Sequence, residues 1–179
     1  MILGMTQPPP ERTEAAPYYF KYIDRVGGDV VEVLDRQRTE VPELLRAISE
    51  QRSASRYAAD KWSMRQVLAH INDAERVFAS RAFWFARGFE SPLPSFEQDV
   101  ATLHARADDR SWASHIEEFE SIRAATLTFF RDLPEEAWSR QGIASDNPFT
   151  VRALAYIIAG HAIHHLGVLQ ERYSATAAR

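Results

Sequence analysis

Apolar residues recur along this chain at the three- and four-residue steps of amphipathic helices, and no stretch alternates with the period of two that marks a half-buried strand. Four long helices are predicted. The first covers roughly Asp29 to Ser49, where Val30, Val33, Leu34, Val41, Leu44, Leu45 and Ile48 share one side. Pro42 is expected to kink or divide it, because proline removes a backbone donor and crowds the preceding turn. The second opens at Ser63, which has capping-box spacing to Gln66, and continues to about Gly88. The third spans Ser111 to Asp132 and is stopped by Leu133-Pro134. The fourth begins at Thr150, a suitable N-cap, and runs to about Tyr173.

Roughly twenty residues separate the second and third helices, more than an ordinary connection in a compact domain. Ser95 and Gln98 repeat the capping spacing there, which predicts a short helix over Phe96 to Ala105. A crossover of this length allows the second and third helices to run parallel, unlike a simple up-down bundle. PEEAWSRQGIASDNPF, between the third and fourth, reads as an irregular link. The expected fold is all-α: a four-helix bundle with a long crossover between helices 2 and 3. It occupies residues 18–174 as one domain, between a mobile Pro-rich tail at 1–17 and a short tail at 175–179.

Histidines interrupt two of the apolar stripes. In GHAIHHLGVLQERY, His161 and His165 stand one turn apart, on the line Leu154, Ile158, His161, His165, Val168. His164 falls about sixty degrees or more off that line and faces the flank or solvent. On the second helix the buried face is Val67, His70 or Ile71, Ala74 and Phe78; His70 sits at its edge, with Asp73 three residues on. Buried neutral imidazoles need a partner for each ring nitrogen. Two readings satisfy that need: hydrogen-bonded core histidines, or one metal ion shared by His161, His165 and a third ligand, for which His70 is the natural candidate. HExxH is absent, so a zinc-protease arrangement is excluded.

Composition narrows the chemistry. The 179 residues include no cysteine, so any metal is held by nitrogen and oxygen, and any thiol arrives with a cosubstrate. Lys and Arg number 21 against 25 Asp and Glu, with the basic residues scattered, which offers nucleic acid or an anionic membrane no general attraction. Ala153 to Ile163 is apolar but too short to span a bilayer. The N-terminal MILGMTQPPPERTEAAP lacks the regions of a secretory signal, and a cytoplasmic location is expected.

The segment KWSMRQVLAHINDAERVFASRA, with Trp62, Ser63, Gln66, Val67, His70, Asp73 and Glu75, resembles the second helix of the DinB/YfiT-like superfamily. AYIIAGHAIHHLGVLQERY is similar to its closing helix, and the likeness extends over about Tyr19 to Tyr173. The resemblance implies a four-helix bundle, often dimeric, with a divalent metal, commonly zinc or nickel, on three protein ligands. Carried onto this sequence, those ligands are His70, His161 and His165. Some members of the superfamily use bacillithiol or mycothiol in S-transfer or isomerisation.

Three histidines leave coordination positions open, as in catalytic rather than structural sites. The first functional expectation is therefore a metal-dependent transferase joining a low-molecular-weight thiol to a small electrophile, with Asp73 or Asn72 orienting a ligand or moving a proton. Asp73 is equally readable as an ordinary helix-face carboxylate. The second is a metal-dependent hydrolase of a small ester or amide, and the third a non-catalytic stress or binding bundle. Asp99, in the crossover, is a further oxygen-ligand candidate. Arg81 or Arg87 either meets an anionic substrate group or pairs with Glu75 or Glu90 at the surface. Trp62, Trp84, Trp112 and Trp138 are read as packing residues, and His104 and His115 as surface residues. Phe83, Trp84 and Phe85 surround one helix, which leaves room for a homodimer.

Overall fold

The computed structural model describes residues 6–173. Its four long helices are α1 (Val30–Arg46), α2 (Met64–Ala86), α3 (Trp112–Arg131) and α4 (Val151–Val168). Each start is set by a side chain that occupies orphan backbone donors. Asp29 accepts from the amides of Val31 and Glu32, Ser111 from Ser114 and Thr150 from Ala153. Ser63 and Gln66 form the reciprocal capping box at α2. Pro42 does not divide α1, which runs through it without interruption; buried neighbours Val41 and Leu45 hold that turn in the core. Short helices fill the connections at Phe20–Ile23, Glu50–Ser53 and Gln98–Ala105. The last of these lacks the Ser95–Gln98 box: its N-cap is Glu97, with no side-chain capping bond.

The pairings across the bundle fix helix directions. Asn72 meets His115, Glu75 meets Arg123 and Phe83 meets Phe129, so α2 and α3 run parallel. Arg46 meets Glu120, Gln37 meets Arg123 and Asp35 meets Arg131, so α1 and α3 run antiparallel. At the centre, Arg123 donates to both Glu75 carboxylate oxygens at 2.8 Å and also to Gln37. Gln37 in turn donates to the carbonyl of Ala159 at 3.0 Å. One buried polar node thus ties all four helices together. Glu75, read from sequence as a surface partner for an arginine, is only 3% exposed.

Two expectations are corrected. The link before α4 contains an antiparallel hairpin, β1 (Gln141–Ala144) paired with β2 (Asn147–Thr150). Its turn residues, Ser145 and Asp146, both have positive φ, 50° and 59°. That is the twist a two-residue hairpin needs, but without the Asn-Gly pair that usually advertises it. The segment expected to be a free tail packs against the bundle from Gln7 onward. The Gln7 amide donates to Asp29, the Tyr156 hydroxyl donates to the Gln7 carbonyl, and Ala15 is buried. The proposed tail at 175–179 lies outside the described residues.

Covered by this segment and by Phe20–Ile23, α4 is buried on nearly every side from Val151 to Ala162, which accounts for its unbroken apolar run. Gly160 permits the approach: a Cβ there would collide with the Tyr22 carbonyl. Among the described residues, no helix is long and apolar enough to cross a membrane.

Glu14 locks the segment down by accepting from the Thr150 hydroxyl at 2.7 Å and pairing with Arg152. Burial alone would raise its pKa, but the Arg152 hydrogen bond, with help from the Glu11 backbone and Thr150, brings it below the usual value. Its stabilisation is therefore fully present above the ordinary glutamate pKa of about 4.3 and is lost as pH falls through the lowered folded value. Urea midpoints of the parent and of Glu14→Gln are expected to differ at neutral pH and to converge as pH falls below about 4.3 and through the lowered folded value. A gap that persists unchanged at low pH would count against this assignment.

Candidate metal centre

His70 reaches the interface from α2, while His161 and His165 project from successive turns of α4. One potential ligand atom from each lies within 4.8 Å of the others. The Nε2 atoms of His70 and His161 are 3.1 Å apart, and the His165 ring centroid is 4.9 Å from His70 and 4.4 Å from His161. His164 takes the flank, half-buried with its ring against Tyr22, and does not belong to the cluster.

Burial keeps these imidazoles neutral. It pulls His70 down to about 4, partly opposed by Asp99, and His165 down to about 3, reinforced by His70, His164 and Lys21. His161 is driven well below its ordinary value, first by burial and then by the neighbouring rings. Neutral imidazole is the ligand form. The hydrogen-bonded-core reading fares poorly. Among the described residues, the ring-nitrogen bond within the cluster is the contact between His70 and His161, and His165 Nε2 and His70 Nδ1 are buried with no partner. A metal ion would engage the first of those orphans. Two nitrogens on one ion at about 2.0–2.1 Å in tetrahedral array stand about 3.3 Å apart, close to the observed separation. The residues fit a three-histidine centre.

Two hollows flank the cluster. One, of about 170 Å³, is lined by His70, His161, Tyr22, Arg81 and Ser145. The other, of about 330 Å³, is lined by His165, Trp62, Lys61, Asp99 and Tyr173. A larger apolar groove of about 500 Å³ lies between α2 and α3 along Ala79, Phe83, Ile122 and Phe129, and it includes none of the three histidines.

Other candidates fall differently. Asp73 lines neither flanking hollow. It faces α3, with Arg76 at 3.5 Å and Glu118, Arg110 and His115 around it, and burial raises its pKa. Three residues advance a helix by about 300°, enough to turn Asp73 from the α4 side to the α3 side. Asp99 instead is one of two carboxylates, with Asp60, lining the hollow that includes His165, and Asp60 is paired with Lys61. Arg87 is exposed, whereas Arg81 is 4% exposed and faces the smaller hollow. His104 is exposed as expected; His115 is not, being fully buried with Nε2 at 2.9 Å from the Ala107 carbonyl. Trp62 lies against His70, with ring centroids 5.1 Å apart. Sequence reasoning missed Tyr22, whose ring packs 5.2 Å from that of His161. Its only signal was the cluster of tyrosines in YYFKY.

The DinB superfamily model matches residues 33–169, a span that contains all three histidines. The chain belongs to the DinB superfamily. Two solved structures share the DinB-type fold seen here. YfiT from Bacillus subtilis, a probable metal-dependent hydrolase with an unusual four-helix bundle topology, superposes with a TM-score of 0.70 at 13% identity, over 94% of this chain and 93% of its own. A mycothiol-dependent maleylpyruvate isomerase superposes with a TM-score of 0.64 at 11% identity, over 80% of this chain and 59% of its own. No curated protein matches by sequence.

Proposed function

We propose that this DinB-superfamily chain is a metal-dependent enzyme in which His70, His161 and His165 hold one divalent cation, zinc or nickel. Its reaction joins a low-molecular-weight thiol to a small electrophile. The observation that carries this reading is the convergence of three neutral imidazoles, within 4.8 Å of one another, between two separate hollows. A bound cation would supply Lewis acidity that lowers the pKa of a thiol or water at the open position. Two hollows on either side of the cluster suit a two-substrate reaction, with the sulfur approaching from one and the electrophile from the other.

The chain's own groups complete the site. Trp62 holds the His70 ring, and the Tyr22 ring packs against His161. Asp99, which lines the same hollow as His165 and, unlike Asp60, is not paired with Lys61, would take the thiol proton in this reading, the role that the sequence assigned to Asp73. In the transfer a carbon–sulfur bond forms, the electrophile's leaving group departs with its electron pair, and the thiol proton passes to the carboxylate and then to water. A homodimer belongs to the same reading, since a second copy would cover Phe83 (44% exposed) in the groove between α2 and α3.

The test is turnover of a panel of small electrophiles by metal-loaded protein with bacillithiol, mycothiol or no thiol. Product formation is expected to require a thiol and to disappear in His161→Ala. Equal hydrolysis of small esters or amides with and without thiol would favour a second reading, metal-dependent hydrolysis. The superposition on YfiT over nearly the whole chain supports that alternative.

A further inference from the structure

Arg81 is a buried cation. It is 4% exposed, and burial lowers its pKa, only partly opposed by Tyr19. Its guanidinium donates to the Pro94 carbonyl at 2.8 Å and to the Ser145 hydroxyl at 3.0 Å, both through Nη2. Among the described residues it forms no ion pair, whereas the other deeply buried arginine, Arg123, is matched by Glu75. An unpaired buried charge is costly, and a fold that retains one commonly pairs it with a ligand.

Arg81 also lines the hollow that His70 and His161 line. Its hydroxyl partner is held there at some expense: Ser145 occupies a left-handed conformation, φ 50°, in the hairpin turn, where a non-glycine residue is strained. Phe78, Phe96 and Ala74 supply apolar wall. The hollow's volume of about 170 Å³, the smaller of the two beside the cluster, suits a small occupant.

Building on the proposed function, we infer that this hollow is the electrophile subsite and that its substrate is a small monocarboxylate. The carboxylate docks on Arg81 with help from Ser145, and the short carbon chain extends between the phenylalanines toward His70 and His161. A guanidinium matches a carboxylate in a planar two-point contact. One such group balances one negative charge, which disfavours a phosphate carrying nearly two.

The test uses butyrate, its neutral counterpart butyramide and inorganic phosphate as probes, with metal content measured on the same preparation. Butyrate is expected to bind more tightly than either of the others, and its Kd is expected to rise about ten- to a hundredfold in Arg81→Met. Should that variant fail to fold, the Arg81 Nε–H resonance of the parent protein decides: it is expected to move with butyrate and stay fixed with butyramide. Unchanged affinity in the variant, equal binding of the amide, tighter binding of phosphate or a stationary Arg81 resonance each overturns the subsite. Carboxylate binding at Arg81 in protein found to hold no metal would sustain this inference while removing the metal centre.

Discussion

A His161→Ala variant, purified beside the parent without added metal, is expected to hold its divalent ion at least about a hundredfold more weakly, and so to emerge essentially metal-free. Loss of an outer partner of a ligand already costs about ten- to a hundredfold in affinity, and His161 is proposed as a ligand itself. All three rings contact one another, so removing His161 breaks the cluster from which the ion would be held. Elemental analysis reads the result directly. Stability gives a second reading: an ion at a hundred times its Kd stabilises the folded chain by about 2.7 kcal/mol, so chelation should lower the parent's Tm and leave that of His161→Ala unmoved. His164→Ala serves as the control, because that ring stands outside the cluster and should leave metal content intact. Equal metal in the parent and His161→Ala, or a parent indifferent to chelation, would remove the centre and leave the orphaned nitrogen of His165 to another explanation.

The four helices were legible because their caps and stripes agree. Ser63 with Gln66, Ser111 and Thr150 each begin a helix where the apolar period starts. The pair His161 and His165 was legible for the same reason, since helical spacing alone puts them on one line. Bringing His70 to them needed the tertiary arrangement, which the family resemblance supplied and the residue pattern left open. The hairpin escaped because Ser145-Asp146 carries no glycine and the strands are only four residues each. That Asp73 faces α3 while Asp99 lines a hollow with His165 was not legible, because spacing along one helix says nothing about which neighbour each face meets. Polar residues in the core were the least legible. Glu75, Arg123, His115 and Arg81 look like surface residues by type, and only the partners or the hollow they face explain their burial.

Arg123→Met is expected to destabilise the fold by about 3–5 kcal/mol, because it leaves the Glu75 carboxylate buried without a cation. That is a large share of the ~5–15 kcal/mol typical of a domain. Exposed pairs such as Arg12 with Asp24, at 69% and 55% side-chain exposure, should contribute at most about 1 kcal/mol. Replacing both partners, Arg123→Met with Glu75→Leu, should recover most of the loss, since no bare charge remains and the methylenes pack. Some deficit should persist: the Gln37 carbonyl oxygen loses its donor, which costs about 1–3 kcal/mol when buried. Urea unfolding followed by circular dichroism measures all three proteins. Equal losses in the single and double variants would mean that the two residues act independently and that the node is not a coupled unit. The coupling also bears on the metal centre. Gln37, held by Arg123, donates to the Ala159 carbonyl two residues before His161, so the node braces the stretch of α4 that carries the ligands. The double variant, folded but with Gln37 released from Arg123, should therefore bind metal more weakly than the parent, a loss that a purely global effect on stability would not produce.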